Sequence, residues 1–260
     1  MSIIEHAVIA AAGLGSRLGH GKPKCLVRID GVSVLSHLMQ LVADVPDVRV
    51  VVGFMEADVI AELARVRPDA IVVRNPAFRV TTTLHSYAMG AQGLSGDCLF
   101  MDADILVVPE TFHRFLAECR HDEPRLALTR SRSTDAVYVE LEDRLVSGFR
   151  RDRPTEYEWS NISWLPTRFF SEIGQTAVYE HLRRHLPLRA GMLDSYEIDT
   201  AADLEHAKQN VARFDLASCE GYRPDPRPHS GPRRQADDEA ARLRPSARGP
   251  LPGFDWRSRA

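Results

Sequence analysis

An apolar run, Ala7-Val8-Ile9-Ala10-Ala11-Ala12, breaks into Gly13-Leu14-Gly15-Ser16-Arg17-Leu18-Gly19-His20-Gly21, with Lys22 and Lys24 close behind. The run is too short for a helix and rich in strand formers. A buried strand that empties into glycines and cations presents backbone N–H groups and side-chain charge to a phosphate. The spacing therefore predicts a grip for a nucleoside triphosphate. Two other glycine loops are excluded by single positions. A dinucleotide fingerprint needs a small residue where Leu18 stands and an acid closing the strand at Val51-Val52-Gly53-Phe54, and neither is there. A P-loop needs glycine at Ser16 and a hydroxyl at Pro23.

Carboxylates form the second chemical signal. Cys98-Leu99-Phe100-Met101 has the character of a buried strand and ends in Asp102-Ala103-Asp104. Acids at the carboxyl end of a central strand lie where an open α/β sheet binds its ligand, and spacing by one residue puts both on one side of an extended chain. Asp102 is read as a nucleotide-site residue or as a structural group bonded to nearby backbone. A further acid, Asp199, stands in Tyr196-Glu197-Ile198-Asp199-Thr200 ahead of a helical pattern from Ala201 to Phe214, a place where acids ordinarily cap.

The elements that must position these groups alternate in type. Helical spacing is expected over Val34 to Val45, Glu56 to Val66, Leu84 to Leu94, Pro109 to Cys119 and within Thr167 to Leu186, with strands over Arg49 to Gly53 and Ala70 to Val73 between them. That alternation predicts a Rossmann-like, mostly parallel sheet with helices on both faces. Past residue 125 the rhythm changes to successive strands, Leu126 to Arg130, Ala136 to Leu141 and Leu145 to Phe149, predicting a small antiparallel extension. With 260 residues and 44% hydrophobic side chains the chain can bury a large core. A formal net charge of −3 offers no general field for nucleic acid or a membrane surface, so anion binding has to be local. Cys25, Cys98, Cys119 and Cys219 lack metal-ligand spacing and read as buried thiols, and a cytoplasmic location is expected.

Ala11-Ala12-Gly13-Leu14-Gly15-Ser16-Arg17 followed by Pro23-Lys24 resembles the signature of the nucleotidyltransferases that make CDP-, UDP- and GDP-activated metabolites, nearest in look to the phosphocholine and phosphonate cytidylyltransferases. The resemblance spans about residues 5 to 214 and implies a GT-A-like fold, a Mg²⁺ cofactor, CTP as the favoured donor and a small phosphorylated or phosphonate acceptor. UTP or GTP with a sugar 1-phosphate or molybdopterin acceptor is the alternative, and a non-catalytic nucleotide-binding module the alternative of another class. It assigns Lys24 to the α-phosphate and Arg17 to the β- and γ-phosphates as the catalytic cations. Ala11, Ala12, Gly13, Leu14, Gly15 and Ser16 form the phosphate loop, and Thr82, Thr83 and Ser86 are placed near the base. Asp104 and Asp199 become the metal ligands, and Arg130 is set near the acceptor phosphate. Trp159 and Trp164 are acceptor candidates because aromatic faces beside acids hold ammonium groups. Strand alternation puts those two rings on opposite faces, which favours ordinary core packing instead.

From Cys219 onward the chain turns to Pro, Arg, Asp and Gly without apolar periodicity, which predicts a catalytic domain over 1–216 and a disordered tail over 217–260. Ending the chain after Leu216 should leave the unfolding midpoint and pyrophosphate release within about twofold of the full chain. Loss of activity on truncation contradicts that division.

Overall fold

The computed structural model describes residues 4–15, 21–132 and 135–215, all within one compact unit, Met1–Tyr222. The second unit, Arg223–Ala260, and with it the expected tail, lies outside the described residues. The first half of the unit is strand and crossover in turn: β1 (His6–Ala11), a short hairpin of β2 (Arg28–Ile29) and β3 (Val32–Ser33), α1 (Val34–Leu41), β4 (Asp47–Val52), α2 (Glu56–Val66), β5 (Ile71–Arg74), α3 (Thr83–Gly90) and β6 (Asp97–Asp102). The parallel strands stand in the order β5-β4-β1-β6, so the chain reverses direction of winding beside β1.

Side chains alternate across β1 as a strand requires. Ala7 and Ile9 join the core with Leu35, Leu38, Val59 and Leu63 of α1 and α2, whereas Val8 packs on the other face with Leu84 and Tyr87 of α3. Burial on both faces explains why β1 reads as a continuous apolar run. The helices are shorter than periodicity suggests, since α1 ends at Leu41 and α3 at Gly90.

β7 (Ile105–Val107) and α4 (Pro109–Glu118) follow β6, and then the sheet changes character. β8 (Arg125–Arg130), β9 (Tyr138–Glu142), β10 (Leu145–Arg150), β11 (Tyr157–Pro166) and β12 (Leu188–Met192) extend it to nine strands, β5-β4-β1-β6-β11-β8-β12-β10-β9. Only β8 and β12 pair in parallel there. The outer strands curl until β9 meets β11 again, with Glu158 opposite Tyr138 and the Trp159 N–H donating to the Val137 carbonyl at 2.8 Å. The antiparallel extension is thus a five-stranded barrel whose interior continues the second core. Thr167 to Leu186 holds α5 (Val178–Leu182) between two 3₁₀ turns; after β12, β13 (Ser195–Glu197) pairs antiparallel with β7, and α6 (Ala201–Gln209) and a 3₁₀ turn, Val211–Arg213, follow. None of the helices among the described residues is long and apolar enough to cross a membrane.

A buried acid ties the elements under the first loop. Glu62 on α2 accepts from the hydroxyls of Ser33 and Ser36 at 2.6 and 3.1 Å and from Arg28 and Arg65. Ser33 in turn caps α1 by accepting from the Ser36 N–H at 3.0 Å. Burial alone would raise the Glu62 pKa, but the hydrogen bond from Arg65, then that from Ser33, and the charges of Arg28 and Arg65 pull it down to about 2. A depressed carboxylate stabilises the fold above its unfolded pKa and ceases to do so as pH falls toward its folded one. Glu62→Gln should therefore cost about 1–3 kcal/mol at pH 7. The gap from wild type should close between pH 4.5 and about 2, as denaturant melts at a series of pH values would record.

Candidate active site

Four loops leave the carboxyl ends of β1, β4, β5 and β6, and backbone bonds stitch them into one rim. The Ala103 N–H donates to Ala10, the Phe54 N–H to Ala12 and the Asn75 N–H to Val52, at 3.1, 3.2 and 2.8 Å. The rim borders a cleft of about 490 Å³, within the size range of small-ligand sites. Ala11, Ala12, Gly13, Leu14, Gly15 and Lys24 form one wall, Thr82, Thr83 and Ser86 the facing one, and Asp102 and Asp104 part of the lining between them. Ser16 and Arg17 lie outside the described residues.

The facing wall is built on a buried asparagine. Asn75, 2% exposed, donates to the Thr81 hydroxyl at 3.0 Å and the Ser86 hydroxyl at 3.3 Å and accepts from the Ala77 N–H at 3.1 Å. Helix capping does not occupy the Thr82 hydroxyl either. Thr82 stands at the N-cap of α3 without a side-chain cap bond and donates to the Thr176 carbonyl at 2.8 Å. Phe78 rests against the first wall at Gly53, where an added Cβ would fall 2.7 Å from the Phe78 Cβ and 3.0 Å from that of Ala12. Only glycine lets the two walls approach so closely.

Lys24 opens a 3₁₀ turn, Lys24–Leu26, that packs on α1 and α2. Its ammonium donates to Asp104 Oδ2 at 2.8 Å and to Asp199 Oδ1. The residues 80 and 175 positions apart meet because β13 returns along β7 and the Ile198 N–H donates to the Asp104 carbonyl at 2.7 Å. Capping of α6 falls to Thr200 and Asp203, which exchange reciprocal bonds, and the Asp199 carboxylate accepts from Lys24.

Glu197, which carried no role in the sequence, lines the cleft too. Ligand atoms of Asp104, Glu197 and Asp199 all lie within 4.8 Å of one another. The parity of Glu197-Ile198-Asp199 in an extended segment was the signal for it. Burial first, and then the charge of Asp104, push the Glu197 carboxyl up to about 8. The same two causes carry Asp102 to about 7 against the bond it accepts from the Tyr87 hydroxyl at 2.5 Å. Burial opposes the Lys24 charge, but the attraction of Asp104 and the bonds to Asp104 and Asp199 raise its pKa above the ordinary value. The donor set is all carboxylate, which suits a hard divalent cation. Asp104 Oδ1 is buried without a hydrogen-bond partner, an oxygen such an ion would use.

Three sequence-derived acceptor residues stand elsewhere. Trp164 is fully buried in the core under α1 and α4 and donates to the Arg120 carbonyl at 2.9 Å. Trp159 lies in the other core, its indole N–H bonded to the Ile162 carbonyl and the Ser163 hydroxyl. A bulge at Asn161, with φ of 57°, separates them along β11, and neither ring lines the cleft. The core-packing reading is the correct one for both. Arg130 is 71% exposed, pairs with Glu156 at 3.2 Å and also lies off the cleft lining. Cys25, Cys98 and Cys119 are buried free thiols, Cys25 behind the Lys24 turn; Cys219 is outside the described residues.

A sheet whose winding reverses beside β1, with glycines, hydroxyls and carboxylates at that crevice, defines a nucleotide-binding α/β protein. Residues 7–190 match the family model described as the MobA-like NTP transferase domain, and the chain belongs to that nucleotidyltransferase family. Asp199 and Glu197 fall beyond the matched residues. The bifunctional protein GlmU of Azorhizobium caulinodans is 35% identical over 114 residues, 42% of this chain and 25% of GlmU, so the match spans about a quarter of that relative. The inositol-1-phosphate CTP transferase of T. maritima shares the fold with a TM-score of 0.68 at 17% identity, over 81% of this chain and 96% of that one. The CTP:phosphocholine cytidylyltransferase LicC of Streptococcus pneumoniae does so at 0.66 and 18%, over 79% and 98%.

Removal of the Asn75 amide leaves a buried wall without its hub. Asn75→Ala should destabilise by about 1–3 kcal/mol and speed amide hydrogen exchange across residues 77–86 more than elsewhere. Uniform acceleration over the whole sheet would show that Asn75 supports only global stability.

Proposed function

We propose that the protein transfers a cytidylyl group from CTP to a small phosphorylated or phosphonate acceptor and releases pyrophosphate. The observation that carries this is the meeting of Lys24 and Asp104, which line the cleft with the glycine loop, with Asp199 beside them. Binding a nucleotide needs the loop and the wall, whereas a cation set among carboxylates at the loop's edge is what phosphoryl chemistry adds. CTP as donor is supported by two solved relatives of the same fold whose names state that they use it.

In the reaction an oxygen of the acceptor's phosphate or phosphonate attacks the α-phosphorus, and the bond from that phosphorus to the bridging pyrophosphate oxygen breaks. Backbone N–H groups of Ala12 to Gly15 hold the phosphates, with Arg17 against the β- and γ-phosphates. Lys24 takes the charge that grows on the α-phosphate, an interaction stronger in the transition state than before it. Thr82, Thr83 and Ser86 hold the base against the first wall, and Asp102, fixed by Tyr87, sits between the two walls. Asp104, Asp199 and Glu197 would hold Mg²⁺, which supplies positive charge to the phosphates when bound.

Pyrophosphate release from CTP, UTP and GTP, each with phosphocholine, aminoethylphosphonate and sugar 1-phosphates, tests the proposal. Turnover with CTP and one of the first two acceptors is expected. Turnover confined to UTP or GTP with sugar phosphates replaces the donor and acceptor named here, and none with any pair favours a nucleotide-binding module. Lys24→Ala should lower kcat about 10²–10³-fold while nucleotide affinity changes far less. Asp104→Asn and Asp199→Asn should each abolish Mg²⁺-dependent release without loss of the folded circular dichroism spectrum.

A further inference from the structure

Lys24 and the carboxylates present a conflict that the proposed reaction has to resolve. The ammonium donates to Asp104 Oδ2 and Asp199 Oδ1, two of the three groups whose oxygens converge within 4.8 Å. A divalent ion held by Asp104, Glu197 and Asp199 needs lone pairs from that same set. An ion that used the unpartnered Asp104 Oδ1 would still share that carboxylate with the ammonium and be repelled by its like charge. Ammonium and metal therefore compete for the same carboxylates.

We infer that Lys24 is an exchangeable internal counter-ion, which neutralises Asp104 and Asp199 in the metal-free protein and is released toward the phosphates when a divalent cation takes its place. The inference rests on the metal reading of the preceding section and adds a coupling to it. The geometry allows the exchange because Lys24 projects from a short turn on a long flexible stem, whereas the main chain behind the carboxylates is pinned by the backbone bonds of Ile198 to Asp104 and of Ala103 to Ala10. The displaced cation remains at the cleft wall that carries the glycine loop. One event thus loads the metal and frees the side chain assigned to the α-phosphate. Linkage requires the reverse effect as well: whatever holds Lys24 on the carboxylates weakens metal binding by the same factor.

Mn²⁺ binding to the full chain without nucleotide, followed by the electron paramagnetic resonance signal of the free ion, tests this. Lys24→Met and Lys24→Gln should bind Mn²⁺ about tenfold or more tightly than wild type, and Lys22→Met, which removes an exposed neighbouring charge, should stay within about twofold. In chelator both Lys24 variants should melt below wild type, and saturating Mn²⁺ should raise their midpoints by more than it raises that of wild type. Equal or weaker Mn²⁺ binding by folded Lys24 variants overturns the exchange and leaves the metal site standing. Equal tightening by Lys22→Met reduces the effect to general charge and also overturns it. Absence of Mn²⁺ binding in wild type and every variant overturns the metal reading and the exchange together.

Discussion

Asp102, Asp104 and Glu197 line one cleft with Asp199 grouped beside the last two, and repulsion among the acids would push that end apart without a cation among them. Lys24 is that cation among the described residues, and the architecture of the first half can be understood as what holds it there. Its turn packs on α1 and α2, whose own contact is organised by Glu62 with Ser33, Ser36, Arg28 and Arg65. A buried acid one layer down thus fixes the base from which a cation reaches the acids above. The chain spends two ionic networks on one point of the sheet edge, and a purely structural edge has no need of either.

The barrel half does different work. Its interior is a continuation of the core behind α3, filled by Leu126, Leu128, Val146, Phe149 and Trp159. Through β11 it backs β6, the strand that delivers Asp102, so the carboxylate edge is braced from both sides of the sheet. This explains why Trp159 and Trp164 are absent from the cleft lining: each ring packs into one of the two cores that flank this stretch of β11.

Much of the first half was legible because it obeys short-range rules. Loop, strand and acid are contiguous in Ala7 to Lys24 and in Cys98 to Asp104, and α2 runs over the residues its periodicity marks. The barrel was legible only as separate strands, since closure depends on a pairing between Tyr138 and Glu158 that no local pattern encodes. β12 left no trace, because Leu188-Arg189-Ala190-Gly191-Met192 lacks an alternating pattern. Gly191 is there for close packing, as an added Cβ would fall 2.6 Å from Phe115 Cδ2. The acceptor aromatics were attributed to the site by composition, whereas burial follows from which strands flank them, and β11 acquired its neighbours only in three dimensions.

The two acid segments share a construction that accounts for the site's rigidity. Asp102-Ala103-Asp104 and Glu197-Ile198-Asp199 each set an apolar residue between acids, and the middle residues are 4% and 0% exposed. Each middle residue is also pinned through its backbone, Ala103 to Ala10 and Ile198 to Asp104 itself. Ala103 and Asp104 make the turn that joins β6 to β7, and Ile198 directly follows β13, so burying these two residues at the strand ends leaves the flanking acids at the Lys24 end of the cleft. Hydrophobic burial of these two anchors thereby imposes a charge density that no carboxylate would adopt alone. Because burial and these backbone bonds hold both anchors, the main chain behind the acids is not free to move apart, and the cation on its long stem is the component with freedom to move.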